Sequence, residues 1–280
     1  MKIIVTGASG FLGSRLIKKL EHHQAVGAVR HDFDISREDD VMTYFQEQQP
    51  EAVIHCAALS DVGACRDNPQ LSYQVNVMGT KNIALACSKL KIKLVFCSSD
   101  QVYVGLPGEA AHVETEEVHP PHPYGQHKVL AENHCINLSP NSVCLRLAWM
   151  YDASVLPGEG RGGLVTSVLQ AVRNGEPLSY PDNDYRSITN VWEVIGQMDK
   201  ALSLPGGIYN FGSENTASTW EVAAHILKTK ELAHVPLLKK ENTSSNTRRN
   251  IRMDTKKAQV HGIEFNLSLE GISLALAHHL

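Results

Sequence analysis

The segment Gly7-Ala8-Ser9-Gly10-Phe11-Leu12-Gly13, directly after the β-branched run Ile3-Ile4-Val5, constrains this chain more than any other feature. Leu12, Leu16 and Leu20 recur at steps of four, so the spacing predicts a helix over 11–20 that begins as the glycines end. A GxxGxxG turn between a first strand and a first helix meets three separate needs. One glycine permits the tight turn, one lets backbone approach a pyrophosphate, and one lets helix and strand pack closely. The helix N-terminus adds N–H groups and a partial positive charge for phosphate. The reading is a dinucleotide cradle of Gly7, Ser9, Gly10, Phe11, Leu12 and Gly13, with a purely structural turn as the plainer alternative.

Short β-branched runs then alternate with helical patterns. Strands are expected at 25–29, 52–54, 93–96 and 143–147, and helices at 41–48, 70–90 and 124–137. Alternation of this kind means parallel pairing through right-handed crossovers. The fold class is therefore α/β, a Rossmann-type doubly wound sheet. After about residue 150 glycine turns punctuate the chain and the rhythm changes. The expected division is a dinucleotide-binding domain over 1–150 and a smaller α+β substrate lobe over 151–280, some elements of which return to the main sheet.

Composition excludes several function classes. The 280 residues are 42% hydrophobic and 20% charged, with a net charge of −4, so no bulk positive field exists for nucleic acid or an anionic membrane. Apolar runs fall far short of the roughly 20 residues a bilayer span needs. The N-terminal residues run into a strand rather than a signal peptide's longer apolar region. Six cysteines stand singly without a CxxC pair, which suits free thiols in a reducing cytoplasm. The expectation is a cytoplasmic protein with no nucleic-acid or membrane partner.

Two further features carry chemistry. An acid at the end of the second strand would bind ribose hydroxyls and favour NAD(H), whereas Arg30 stands there and favours the 2′-phosphate of NADP(H). Asp32 and Asp34 follow closely, so NAD(H) stays open. Ser98-Ser99-Asp100 closes the fourth strand, and Tyr124 and Lys128 lie one helical turn apart in the next helix. A phenol near pKa 10 is a poor proton carrier at neutral pH unless a cation such as Lys128 stabilises its anion. A hydroxyl such as Ser99 can hydrogen-bond a carbonyl oxygen as charge develops on it.

On these residues, together with the Ala57-Ala58 pair and Asn76, the chain resembles the extended short-chain dehydrogenase/reductases over essentially its whole length. The stretch Phe96-Cys97-Ser98-Ser99-Asp100-Gln101-Val102-Tyr103 is similar to the S(T/S)DxV(F/Y) segment of dTDP-4-dehydrorhamnose reductases. Leu145-Arg146-Leu147-Ala148-Trp149-Met150-Tyr151 resembles their LRxxWxY. The resemblance implies an NAD(P)H-dependent reductase of a nucleotide-linked 4-keto sugar. It implies Tyr124 as proton donor, Lys128 lowering the phenol pKa and holding the nicotinamide ribose, and Ser99 polarising the carbonyl. Asp34 and Ile35 would line the adenine, Ala57 and Ala58 the phosphates and ribose. Asn76 would support the active-site helix and its waters beside the cofactor, and Ser98 counts with the cofactor contacts. Gly63 and Arg66 depart from the acids usual in that pattern, as does the lack of an Arg-Pro dipeptide around 248–254, and both leave the sugar open.

Asp100, Trp149, Arg161 and Arg186 are the candidate substrate contacts. Asp100 either touches substrate or fixes its loop. Trp149 either stacks on a sugar or packs in the core, and Arg186 either forks onto a diphosphate or lies on the surface. Arg161 sits in the glycine loop 158–163, read either as a substrate loop or as a plain connection. Five histidines fall between 112 and 134 without metal-ligand spacing, so no metal is expected. An epimerase or dehydratase stays open, as does a non-catalytic regulatory subunit like that of methionine adenosyltransferase. A homodimer is a further possibility.

Overall fold

In this computed structural model of the protein, residues 1–20, 22–155, 162–240 and 248–277 are described. Its central sheet has six strands: β1 (Lys2–Thr6), β2 (Gln24–Ala28), β3 (Ala52–His55), β4 (Lys93–Ser99), β5 (Val143–Leu147) and a last strand, Gly207–Phe211. Their order is last strand, β5, β4, β3, β1, β2. The pairs β1–β2, β1–β3 and β3–β4 are all parallel. The chain thus winds outward from β1 in both directions, which is the doubly wound fold expected. In such sheets the reversal point at the strands' carboxyl ends is where ligands bind, and here it lies between β1 and β3. All residues of β3 and β5 are buried, the polar His55 and Arg146 included, so neither strand shows the alternation of a half-exposed one.

The helices in this part are α1 (Gly13–Lys19), α2 (Glu38–Gln48), α3 (Val62–Asp67), α4 (Pro69–Tyr73), α5 (Thr80–Leu90) and α6 (Pro123–Leu138). Two differ from the sequence expectation. The first helix starts at Gly13 rather than residue 11, because Gly10 N–H turns back onto the Gly7 carbonyl at 2.9 Å. The single helix expected over 70–90 is interrupted by a π-helical turn, Gln74–Gly79. There the Asn76 amide leaves its helix to bond the Leu59 backbone, and Thr80 Oγ1 caps the Asn76 carbonyl at 2.8 Å. An extra residue in the turn keeps both segments' apolar faces on the core. That core joins Phe33 and Phe45 to Ile4, Val53, Ile83 and Leu94.

The chain divides into two compact units. The first is Met1–Tyr103, Glu117–Arg146 and Gln197–Tyr209; the second is Val104–Glu116, Leu147–Gly196 and Asn210–Leu280. The second unit is α+β, with three parallel pairs of three-residue strands: Trp149–Tyr151 with Ile188–Asn190, Leu178–Tyr180 with Leu237–Lys239, and Asp184–Arg186 with Arg249–Ile251. Its core gathers Tyr151, Val168, Val222 and Ile226 with Ile272. Helix Thr219–Thr229 opens on a full capping box of Ser218 and Glu221. Among the described residues no helix is long and apolar enough to cross a membrane.

Two buried polar groups of the first unit tie its elements together. His55 closes β3, bonding Thr6 Oγ1 through Nδ1 at 2.7 Å and Thr80 Oγ1 through Nε2 at 3.1 Å. Glu132 of α6 takes Arg146 of β5 in a two-pronged ion pair at 2.8 and 3.0 Å. The Ser98 hydroxyl donates to the same carboxylate at 2.5 Å, and Arg146 also reaches the Tyr103 hydroxyl at 2.9 Å.

Each group yields a prediction. Burial, with the Lys128 charge adding to it, lowers the His55 pKa from 6.5 to about 3. Above pH 6.5 the ring is neutral in both folded and unfolded chains. As pH falls from there towards 3, the unfolded chain takes a proton that the folded one refuses, so stability is lost. At 1.36 kcal/mol per pKa unit, denaturant melts should show this group removing about 2 kcal/mol between neutral pH and about pH 5. The same loss should be absent from His55→Asn. Arg146→Met strands the Glu132 charge and should cost about 3–5 kcal/mol in urea melts. Pairing it with Glu132→Leu should recover a substantial part.

Candidate functional site

Gly7 turns the chain off β1 with φ +67°, a left-handed backbone that favours glycine. A Cβ here would lie 2.7 Å from the Ala57 nitrogen, and one on Gly13 would lie 2.3 Å from the Gly7 carbonyl oxygen. The glycine turn therefore rests directly on the backbone that leaves β3, and Ala57 N–H reaches Thr6 Oγ1 at 3.3 Å. Ser9 and Gly10 are exposed at the rim. Phe11 carries the Arg15 guanidinium over its ring at 4.1 Å, and Leu12 is buried. At the end of β2, Arg30 is exposed. Both nearby acids are engaged in turns: Asp32 accepts Val29 N–H at 2.7 Å, and Asp34 accepts the Ser36 N–H and hydroxyl. Those Ser36 bonds hold the Asp34 carboxyl below its usual pKa, with Arg30 and Arg37 assisting. Ile35 packs where a side chain on Gly79 would stand, and its carbonyl takes the Asn82 amide at 3.0 Å.

The carboxyl end of β4 brings the chemical groups together. Ser99 stands close enough to the Tyr124 phenol to act on its pKa, and both are nearly buried. Ser99 Oγ also lies 3.2 Å from Asp100 Oδ1, which accepts the Gln101 amide at 3.1 Å. Lys128 Nζ donates to the Cys97 carbonyl at 2.7 Å and sits 5.8 Å from the centre of the Tyr124 ring. Burial pushes the Tyr124 phenol above its usual pKa, and the neighbouring Ser99 side chain works against that rise. Burial likewise lowers the Lys128 pKa, while the neighbouring thiols and Glu132 raise it. Lys128 thus stands beside the phenol while its ammonium donates to a backbone carbonyl.

Other expected residues find specific places. Ala58 is partly exposed in the stretch after β3. Ser98, expected at the cofactor, instead turns its hydroxyl into the Glu132–Arg146 pair. Asn76 grips the Leu59 N–H and carbonyl at 2.8 and 3.0 Å and also donates to Ser72 Oγ at 3.1 Å. Ser72 continues to His127 Nδ1 at 2.8 Å. A chain of polar contacts thus runs from the loop after β3 to α6 beside Lys128. Sequence reading missed Ser72 and His127, whose partners are 55 residues apart. Gly63 and Arg66 lie on α3, Arg66 beside Asp67. In the second unit the Arg186 guanidinium stacks over Trp149 at 4.6 Å, with Asp184 at 3.5 Å from its fork. Arg161 and most of its loop lie outside the described residues.

Several of the histidines between 112 and 134 have partners within the protein. His112 bonds Glu116 and the Asn250 carbonyl, and His122 caps α6 by accepting Gly125 N–H. Elsewhere His22 and His23 both reach Asp199, through Nε2 at 2.6 and 3.0 Å.

Residues 1–276 match the family model described as RmlD substrate binding domain. A dTDP-4-dehydrorhamnose reductase of Aggregatibacter actinomycetemcomitans is 27% identical over 251 residues, covering 85% of this chain and 83% of that protein. The spore coat polysaccharide biosynthesis protein SpsK of Bacillus subtilis is 26% identical over 229 residues, 81% of this chain and 78% of its own. Among solved structures, the dTDP-4-dehydrorhamnose reductase of Bacillus anthracis in complex with NADP superposes with a TM-score of 0.87 at 22% identity, over 99% of this chain and 98% of that one. The UDP-glucose 4-epimerase of Thermotoga maritima with UDP-glucose reaches 0.84 at 22% identity, over 100% and 98%. At such identities the structures speak for the fold. The family model speaks for descent, and by its match over nearly the whole length the chain belongs to the RmlD substrate binding domain family.

Proposed function

We propose that this chain is a cytoplasmic NAD(P)H-dependent reductase that converts the 4-keto group of a nucleotide-linked sugar to an alcohol. The observation that carries this reading is the placement of Ser99, Tyr124 and Lys128 together at the sheet edge where the glycine turn also sits. Family membership and relatives named as dTDP-4-dehydrorhamnose reductases support it.

The residues present suit a nicotinamide dinucleotide. At Gly7 and Gly13 any Cβ would strike backbone, so the turn closes tightly against Ala57 and leaves Ser9 and Gly10 exposed at its rim. Gly7, Ser9, Gly10, Phe11, Leu12 and Gly13 would hold the pyrophosphate, with Ala57 and Ala58 alongside and Asp34 and Ile35 towards the adenine. Bound there, the reduced cofactor supplies a hydride to the carbonyl carbon. Tyr124 then gives its proton to the oxygen left negative by reduction. A phenol whose pKa is raised by burial stays protonated, as a donor must. Ser99 holds the same oxygen by a second hydrogen bond. Lys128 supplies positive charge beside the phenol and an N–H for the ribose. Asn76, through Ser72 and His127, fixes α6 and the loop after β3 against each other. Asp100, Trp149 and Arg186 are assigned to the substrate side, Trp149 and Arg186 as a stacked pair.

NADPH oxidation measured across dTDP-, UDP- and GDP-linked 4-keto sugars tests the reading. Turnover with exchangeable NADPH is the expected result, whereas tightly held NAD returned after each cycle would mean an epimerase instead. Tyr124→Phe should lower kcat by about 10²–10⁴-fold with little change in cofactor affinity. Near-native turnover in that variant would remove Tyr124 from the role of proton donor.

NADP(H) is the proposed cofactor form, because exposed Arg30 ends β2 while Asp32 and Asp34 are already bonded in their turns. Arg30→Ala should weaken NADPH binding by about 1–3 kcal/mol and leave NADH binding nearly unchanged. Equal loss for both, read by titration calorimetry, would show that Arg30 does not read the phosphate.

A further inference from the structure

The parallel register of β3 and β4 pairs Ile54 with Val95 and His55 with Phe96. One step further sets Cys56 opposite Cys97, and their sulfur atoms lie 3.5 Å apart. Neighbouring strands run about 4.8 Å apart, within the roughly 4.4–6.8 Å between Cα atoms that a disulfide spans. Both thiols are free; Cys56 is partly exposed and Cys97 is nearly buried. A second thiol pair, Cys135 and Cys144, is fully buried and out of a reagent's reach.

We propose that Cys56 and Cys97 form a reversible disulfide-modification site, closed by a low-molecular-weight disulfide, that disables the carboxyl edge of β3 and β4. The inference deepens the reductase reading, since the edge concerned carries Ser99 and holds Lys128. The exchange is balanced. Cys56, as thiolate, attacks one sulfur of the oxidant and forms a mixed disulfide, and the released thiolate takes up the proton that Cys56 gave. Cys97 then attacks the Cys56 sulfur, and the second thiolate leaves with the proton of Cys97. Two protein thiols are oxidised by two electrons, and one small disulfide is reduced to two small thiols.

Closure acts on both flanks of the pair. Ala57, the next residue after Cys56, is the wall against which Gly7 rests, and the Cys97 carbonyl accepts the Lys128 ammonium. Drawing the sulfurs from 3.5 Å to a bond of about 2.05 Å, with its dihedral of about 90°, turns both side chains. These two backbones take up whatever part of the change the side chains do not. Displacements of about 1 Å near reacting groups can cost about 10²-fold in rate. The bond with Cys97 and burial hold the Cys56 thiol above its ordinary pKa, against the pull of Lys128. Thiolate is therefore scarce at neutral pH and closure is slow.

The test treats the full chain with oxidised glutathione, blocks remaining thiols with N-ethylmaleimide and maps the peptides by mass spectrometry. Dinucleotide affinity and NADPH turnover are measured on the same samples. The expected result is a 56–97 cross-link, a fall of about tenfold or more in turnover or affinity, and recovery with dithiothreitol. Cys56→Ala, compared with its own untreated sample, should be insensitive, Cys97→Ala should stop at a Cys56–glutathione adduct with no cross-link, and Cys135→Ala should behave as the parent does. In the parent, a glutathione adduct without the cross-link or a cross-link that changes neither readout would overturn the proposal, as would equal inactivation of both Cys56→Ala and Cys97→Ala. If the reduced protein turns over no 4-keto sugar, the reductase reading fails separately, because the cross-link and the dinucleotide affinity are still read.

Discussion

The arrangement of the site depends on one buried ion pair. Glu132 and Arg146 are almost wholly removed from water, which costs several kcal/mol per ion unless hydrogen bonds replace the lost hydration. Here they do: the carboxylate takes two bonds from the guanidinium and one from Ser98, and the guanidinium takes in the Tyr103 hydroxyl. The four residues come from α6, β5, the end of β4 and the turn after it. The contact therefore fixes a helix against two strands at once. Tyr124, Lys128 and Glu132 are spaced by four residues along α6 and share a face. Anchoring the third of them sets the rotation of the helix for the other two.

The same burial that makes the anchor costly shapes the chemistry above it. Tyr124 and Lys128 are as dry as the ion pair, so the phenol resists losing its proton and the ammonium is pressed to give one up. Both shifts work against the charged forms, and for the phenol this means it stays protonated, as a donor must. Glu132, one turn from Lys128, partly restores the ammonium. The anchor thus acts on geometry and on charge together.

Much of this was legible in the residues because it is local. The glycine spacing, the four-residue step from Tyr124 to Lys128 and the run of β-branched segments each express a constraint within a few positions. What was not legible depends on distant pairings. The Asn76–Ser72–His127 chain and the Cys56–Cys97 contact join residues 41 to 55 apart, and no periodicity marks them. The π-helical turn was hidden for another reason. An added residue near Asn76 leaves the apolar pattern on either side helical, so 70–90 reads as one helix. The second unit's strands are three residues long, too short for an alternating pattern to declare itself. Spacing gave Lys128 its proximity to Tyr124 without direction, and nothing in the sequence marks the backbone carbonyl its ammonium meets.

The end of β4 shows how tightly register binds these features together. Successive side chains go to different partners: Cys97 to the thiol of Cys56, Ser98 to Glu132, and Ser99 to Tyr124 and Asp100. The Cys97 carbonyl, lying in the plane of the sheet, is left to receive Lys128. A strand's side chains alternate with period two, so a slip of one residue would exchange every one of these roles. Ser98 and Ser99 are chemically identical, and only the register decides which one anchors the helix and which one faces the phenol. That register is held by four parallel pairings with β3, from Ala52 with Lys93 to His55 with Phe96. His55 is itself bonded on both ring nitrogens, to β1 and α5. The distinction between an anchoring serine and a reacting one is therefore made outside β4, by the strand beside it.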